Sequence, residues 1–150
     1  MLKLVVLANL ASTFFMVGLI WFVQVVHYPL FARVGRDVFA AYESSHSQLT
    51  SLVVIPPMLI ELVTTGMLLM MRPVGLKLSE AIAGALLLVV VWGSTFLLQV
   101  PRHGQLAMGF DQVAHHALVA TNWLRTIAWT LRGVIWLIFL QRTIDSGIPS

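Results

Sequence analysis

The side chains best suited to chemistry in this chain are its five histidines, His27, His46, His103, His115 and His116. Imidazole can bind Zn, Cu or Fe ions or haem iron, and it can move protons near neutral pH. Neither HxxxH nor HExxH occurs, so a metal site would have to draw its ligands one from each helix, as helix bundles often do. His115 and His116 are adjacent and stand about 100° apart on a regular helix, so they cannot both face one ion. His27, His46, His103 and His115 are the expected metal ligands, with His116 pointing elsewhere. The same rings could instead bind substrate or hydrogen-bond one another, and interfacial histidine is also an ordinary feature of membrane proteins.

The elements that must position these residues follow from composition. Of 150 residues, 59% are hydrophobic and 10% charged, against about 25% charged in a soluble domain. A net charge of +3 without a Lys/Arg run leaves no basis for nucleic-acid binding. The absence of cysteine excludes disulfides, thiolate metal sites and CxxC redox chemistry. Four segments are apolar over the roughly 20 residues that a spanning helix needs: 4–26, 50–71, 81–100 and 117–140. In lipid the backbone must satisfy its own hydrogen bonds, so these are helices. The expectation is an all-α fold, an integral membrane four-helix bundle forming a single domain over 1–150. The first apolar run is too long for a signal peptide and is expected to be an uncleaved span. The polar 28–49 stretch should extend the second helix outward. The 101–116 segment, with Pro101, Gly104 and Gly109, reads as an ordered loop capping the bundle, and the short IDSGIPS tail is expected to fray.

Lys3, Arg72, Lys77 and Arg142 fall on the side of both termini, and Arg33, Arg36 and Arg102 on the other. This slight bias places both termini in the cytoplasm and the histidine face outside it, in a bacterial inner (plasma) membrane. Arg33, Arg36 and Arg102 could hold carboxylates such as haem propionates at the cavity mouth, or act as ordinary interfacial arginines.

At 100° per residue, each span carries one polar arc. Asn9, Thr13, Met16, Gln24 and His27 share a face of the first. His46, Thr50, Pro57, Glu61 and Thr65 align on the second. Trp92, Thr95 and Gln99 lead toward His103 on the third, and His115, Asn122, Arg125, Trp129 and Arg132 share a face of the fourth. Counted from the charged end, the histidines lie at similar height, with Gln24, Thr50, Gln99 and Asn122 just beneath. Glu61 and Arg132 lie deeper, at matching depth. An ionisable group there costs at least about 2.5–3.5 kcal/mol and is expected to face inward and pair. The pair could act in catalysis, in substrate binding or as a structural tie, and Arg125 could also reach toward Glu61. Pro56–Pro57 should kink the second helix beside Glu61. Trp92 and Trp129 could line a flat cavity or stack on a planar ligand, whereas Trp123 and Trp136 read as lipid-facing. Gly66, Gly84 and Gly133 read as helix-contact positions.

The stretches WFVQVVHYPLFARVGRDVFAAYESSH, IPPMLIEL and VPRHGQLAMGFD…LVATNWLRTIAWTLR resemble a family of small bacterial four-helix membrane proteins. That resemblance covers nearly the whole chain and implies the fold without a mechanism. More distantly, Pro101–Arg125 is similar to anthrone-oxygenase-like membrane proteins, with Pro101, Leu106, Asn122 and Arg125 as matching positions. Arg102–His103 stands where that group usually carries an Asn. This second resemblance implies oxidation of a planar hydrophobic substrate by oxygen.

The function expected from these features is a membrane oxidoreductase acting on a hydrophobic small molecule. Its metal would be Cu, Fe or Zn, or haem iron, at His27, His46, His103 and His115. Glu61, Arg125 and Arg132 would supply charge, and Gln24, Gln99, Asn122, Trp92 and Trp129 would hold cofactor or substrate. A small transporter or channel subunit for a proton, metal ion or anion, an accessory subunit of a membrane complex and a homo-oligomer are the alternative arrangements.

Overall fold

The computed structural model describes residues 1–147 and is a bundle of four helices, each long and apolar enough to cross a membrane: Leu2–Arg33, Phe39–Met70, Leu78–Leu106 and Gln112–Asp145. The 34 residues of the fourth helix extend about 51 Å at 1.5 Å per residue. A bilayer hydrocarbon core is about 30 Å thick, so the helix ends project from it. Leucine, valine, isoleucine and phenylalanine dominate the exposed surface, as a lipid-facing surface requires. Residues 148–150, part of the tail expected to fray, lie outside the described residues.

All four helices exceed the apolar windows, the first three chiefly at the histidine end and the fourth equally at both. The polar 28–49 stretch divides: from Phe39 it extends the second helix as expected, whereas its first residues, through Arg33, continue the first helix instead. The expected 101–116 loop is corrected: Val100–Leu106 is helical, and the connection reduces to Ala107–Asp111. Gly109 takes φ +136° in this turn, a conformation that a side chain would strain. Asp111 caps the fourth helix by accepting from the Ala114 N–H at 2.6 Å.

Pro101 does not stop the third helix because a wide π turn, Thr95–Gln99, precedes it. The Val100 N–H reaches back to the Thr95 carbonyl, which moves the ladder out of the proline ring's way. The first helix repeats the device, with a π turn over Val23–His27 ahead of Pro29 and the Tyr28 N–H bonded to the Val23 carbonyl. Pro56 and Pro57 lie inside a helix that remains continuous from Phe39 to Met70.

Helices one and two, three and four, and one and four pack along their lengths, whereas two and three touch far less. Lipid offers no hydrophobic drive for helix association, so close packing and polar contacts must supply it. Such contacts occur in both halves of the bundle. Asn9 donates to Thr64 and Thr65 at 2.7 and 3.0 Å and accepts from Trp136 Nε1 at 3.0 Å. Trp136, expected at the lipid surface, is therefore buried, because its indole N–H finds a partner only inward. Arg142 clamps both Glu80 oxygens at 2.6 Å. Gly133 is a true helix contact, since a Cβ there would meet Val17 at 3.4 Å; at Gly66 a Cβ would meet nothing within 4 Å.

Candidate metal centre and membrane-facing cavity

The widened turn of the first helix and the outward extension of the second bring Tyr28, Glu43, His46 and His103 together at the histidine end. Glu43, His46 and His103 each offer a ligand atom, and these atoms lie within 4.8 Å of one another. Ligands around a transition metal sit about 2.0–2.2 Å from it and hence roughly 3–3.5 Å apart, so modest side-chain rotation closes the group on one ion. Glu43 is fully buried. Its Oε1 meets His103 Nδ1 at 2.5 Å and accepts from Ser47 at 3.1 Å, while its Oε2 has no hydrogen-bond partner. A buried carboxylate oxygen without a donor is costly, and a cation beside it removes that cost. Two imidazoles and a carboxylate with open positions are the donor set of non-haem Fe(II) sites, and Zn or Cu also accept it.

The remaining partners orient these ligands. His46 Nδ1 lies 2.9 Å from His27 Nε2 and 3.1 Å from the Thr50 hydroxyl, which leaves His46 Nε2 as its ligand atom. His103 Nε2 lies 2.9 Å from the Tyr28 hydroxyl. His115, expected as a ligand, instead donates from Nε2 to the Tyr28 backbone carbonyl at 2.8 Å and stands outside the group. It ties the fourth helix to the first just beyond the π turn. His27 acts on the group through His46, and His116 is exposed on the outer face.

His46 and His103 also border a cavity of about 750 Å³ between the second and third helices, together with Tyr28, Trp92, Gln99 and Arg125. Its outer rim includes Ile55, Leu59, Phe96 and Val100, which are exposed on the apolar surface. The cavity therefore opens sideways on the apolar surface, and Ser44, Gln48 and Ser51, also exposed, border it toward the histidine end. Trp92 Nε1, Gln99 Oε1 and Arg125 Nε are buried on its walls without a hydrogen-bond partner.

The other expected site residues divide into two sets. Gln24, Asn122 and Trp129 do not line the cavity but hold Arg125. Asn122 donates to Gln24 at 2.8 Å and accepts from Arg125 at 3.4 Å, and the Arg125 guanidinium lies 5.3 Å from the Trp129 ring centre. Glu61 and Arg132 are paired as expected, at 3.2 Å, below the cavity. Glu61 also accepts from Thr13 at 2.7 Å and from Trp129 at 2.8 Å. Arg132 reaches Thr65 at 3.2 Å and also donates to the Gly84 carbonyl. Every helix contributes to this knot, and its polar groups are spent on one another. Arg125 does not pair with Glu61; its guanidinium donates to Asn122 and lies close enough to the Tyr28 hydroxyl to interact with it. Arg36 lies over the Phe110 ring at 5.6 Å and Arg102 bonds Gln105 at 2.9 Å; neither they nor Arg33 line the cavity.

Two residues of this site escape the sequence reading, Glu43 and Tyr28. Glu43-Ser44-Ser45-His46 is a Glu-x-x-His pair at i, i+3, the spacing by which metal-binding bundles present two ligands from one helix, and this was the available signal.

No family model matches the chain, and neither a curated protein nor a solved structure does.

Proposed function

We propose that this protein is a membrane-embedded, metal-dependent oxidoreductase that takes a hydrophobic substrate from the bilayer, with dioxygen as the electron acceptor. The observation that carries the reading is the unpartnered, buried Glu43 Oε2 beside two imidazoles on the wall of a lipid-open cavity. Glu43, His46 and His103 would hold the ion, iron first by donor set and copper or zinc next. A carboxylate among the donors favours a single ion over haem. Bound there, the metal would supply open coordination positions for dioxygen and substrate. His27 and Thr50 would fix the His46 ring, and Tyr28 the His103 ring, as partners of metal-bound histidines do. Arg125 would supply charge to the cavity, with Gln24, Asn122 and Trp129 positioning it, and Glu61–Arg132 would brace the helices beneath. In the orientation that the basic residues favour, the metal lies at the extracytoplasmic side of a bacterial inner membrane. A carrier would need a path through the bundle, and the closed Glu61–Arg132 knot lies across it.

The test is elemental analysis of detergent-purified protein after reconstitution with Fe(II), Cu(II) or Zn(II), beside a Glu43→Gln/His46→Ala variant of unchanged elution volume. The reading expects about one ion per chain in the wild type, lost in the variant, and oxygen uptake with a lipid-soluble reductant only in the loaded wild type. Protein that takes up none of the three metals overturns it.

A further inference from the structure

Arg125 is 6% exposed and stands within a membrane-spanning helix. Guanidinium stays charged in proteins, and an unpaired charge in this setting costs several kcal/mol. Arg132 meets that cost with Glu61. Among the described residues no carboxylate pairs with Arg125, whose contacts are an amide, a tyrosine hydroxyl and an indole face. Its Nε is unsatisfied, and so is the Gln99 Oε1 on the same cavity wall. A cation without a counter-charge that borders a large cavity is a binding group waiting for an anion.

The surroundings narrow the anion. The cavity opens sideways between Ile55 and Leu59 on one helix and Phe96 and Val100 on the next, and its lining continues past the exposed Ser44, Gln48 and Ser51 to the polar histidine end. Side chains on a helix lean toward its N-terminus, which for the fourth helix is the histidine end. Arg125 accordingly reaches up to Tyr28 and carries its charge from mid-helix toward the level of the lipid headgroups. A ligand must therefore bring a negative head to the guanidinium and an apolar body that leaves through the gap. We propose that the cavity binds a long-chain carboxylate drawn from the adjacent leaflet, its head on Arg125 and its chain between the second and third helices. This names a substrate class and rests on the proposed function for the claim that the ligand is oxidised; the binding itself rests on Arg125 and the cavity alone. The Tyr28 hydroxyl joins the two sites, since it faces Arg125 and bonds His103 at 2.9 Å. A carboxylate on Arg125 thus places the first carbons of its chain nearest the metal group.

The experiment uses metal-free protein in a neutral detergent, so its outcome is independent of the metal. 9,10-Dibromostearate and 9,10-dibromostearyl alcohol, which share a chain and differ in charge, are titrated while quenching of tryptophan fluorescence is followed. The wild type is expected to half-saturate with the acid at a detergent mole fraction at least about tenfold below that for the alcohol. Arg125→Gln should bring the acid to the alcohol's value without changing the alcohol's. Equal binding of acid and alcohol by the wild type overturns the proposal whether or not the variant folds. An unchanged acid titration in a folded Arg125→Gln protein does the same. Displacement of the acid by millimolar acetate overturns it in favour of a small-anion site, and displacement by phosphatidylglycerol in favour of a phospholipid headgroup.

Discussion

Glu61→Gln separates a structural role for the buried ion pair from a chemical one. The substitution keeps shape and removes charge. It leaves Arg132, 3% exposed, without its counter-ion and turns an amide N–H₂ toward groups that now donate to Glu61, among them Thr13 and Trp129. Removing one member of a buried pair costs about 3–5 kcal/mol in soluble proteins. Helices dispersed in detergent or lipid still find some polar partners, which lowers such costs, so about 3 kcal/mol is the expected loss. At about 2–4 °C per kcal/mol for a chain of this size, the midpoint of thermal unfolding should fall by roughly 6–12 °C. Glu61→Met/Arg132→Met removes both charges and should recover most of that loss, because apolar replacement of a whole buried pair is often neutral or better. Metal uptake by the folded fraction should not change, since neither residue belongs to the metal group or the cavity wall. The measurements are thermal unfolding in detergent followed by circular dichroism, and metal content of the wild type and the two variants. A Glu61→Gln protein that melts within about 2 °C of wild type yet loses oxidase activity would refute the reasoning and give Glu61 a part in the reaction.

Three further outcomes are expected. His27→Ala should weaken metal binding about 10–100-fold without abolishing it, as loss of an orienting partner does, whereas Glu43→Gln should abolish it; equilibrium dialysis against a chelator buffer distinguishes the two. Tyr28→Phe should likewise lower metal affinity about 10–100-fold if the ion lies on the Glu43 side of His103, because Nε2 loses its partner; unchanged or tighter binding would place the ion at Nε2 instead. Asp111→Ala should cost about 1 kcal/mol through loss of the helix cap, seen as a fall of a few degrees in the unfolding midpoint with metal content intact.

Helix number, inward faces and the Glu61–Arg132 pair were legible from hydropathy and charge because burying polarity in lipid is expensive enough to leave a plain pattern. Glu43 was not read as a ligand because it lies in the polar 28–49 stretch, where an acidic residue carries no such penalty on the face of the sequence; its i, i+3 spacing to His46 was the usable sign. Tyr28 was missed for a geometric reason. At a uniform 100° per residue, His27 falls on the same arc as Asn9 and Thr13, and Tyr28 falls off it. The π turn at Val23–His27 adds one residue without advancing the helix, which sets the phase back by about 100°. Tyr28 then takes the inward position, where it is buried, and His27 is left half-exposed. Pro29 and Pro101, each just beyond such a turn, look in sequence like helix stops and are in fact where the ladder has already been widened.

The distribution of polar ties explains why the bundle can keep a lateral opening. In lipid, helices two and three gain nothing from hydrophobic burial by closing on each other. Closure would also bury Trp92 Nε1, Gln99 Oε1 and Arg125 Nε, already without partners, against apolar surface. Below the cavity the bundle is ordered by Asn9 with Thr64, Thr65 and Trp136, Arg132 with Glu61 and the Gly84 carbonyl, and Arg142 with Glu80. Of these, only the Arg132 knot, which holds the Gly84 carbonyl of the third helix beside Glu61 and Thr65 of the second, spans the seam beneath the cavity. The gap persists between two ties of these helices, the Arg132 knot below and the Glu43–His103 contact at the histidine end, while the stretch between them carries groups that need a ligand rather than each other. The brace thus sets the lower edge of the cavity, and a loosened brace should blur ligand binding before it disturbs Glu43, His46 and His103.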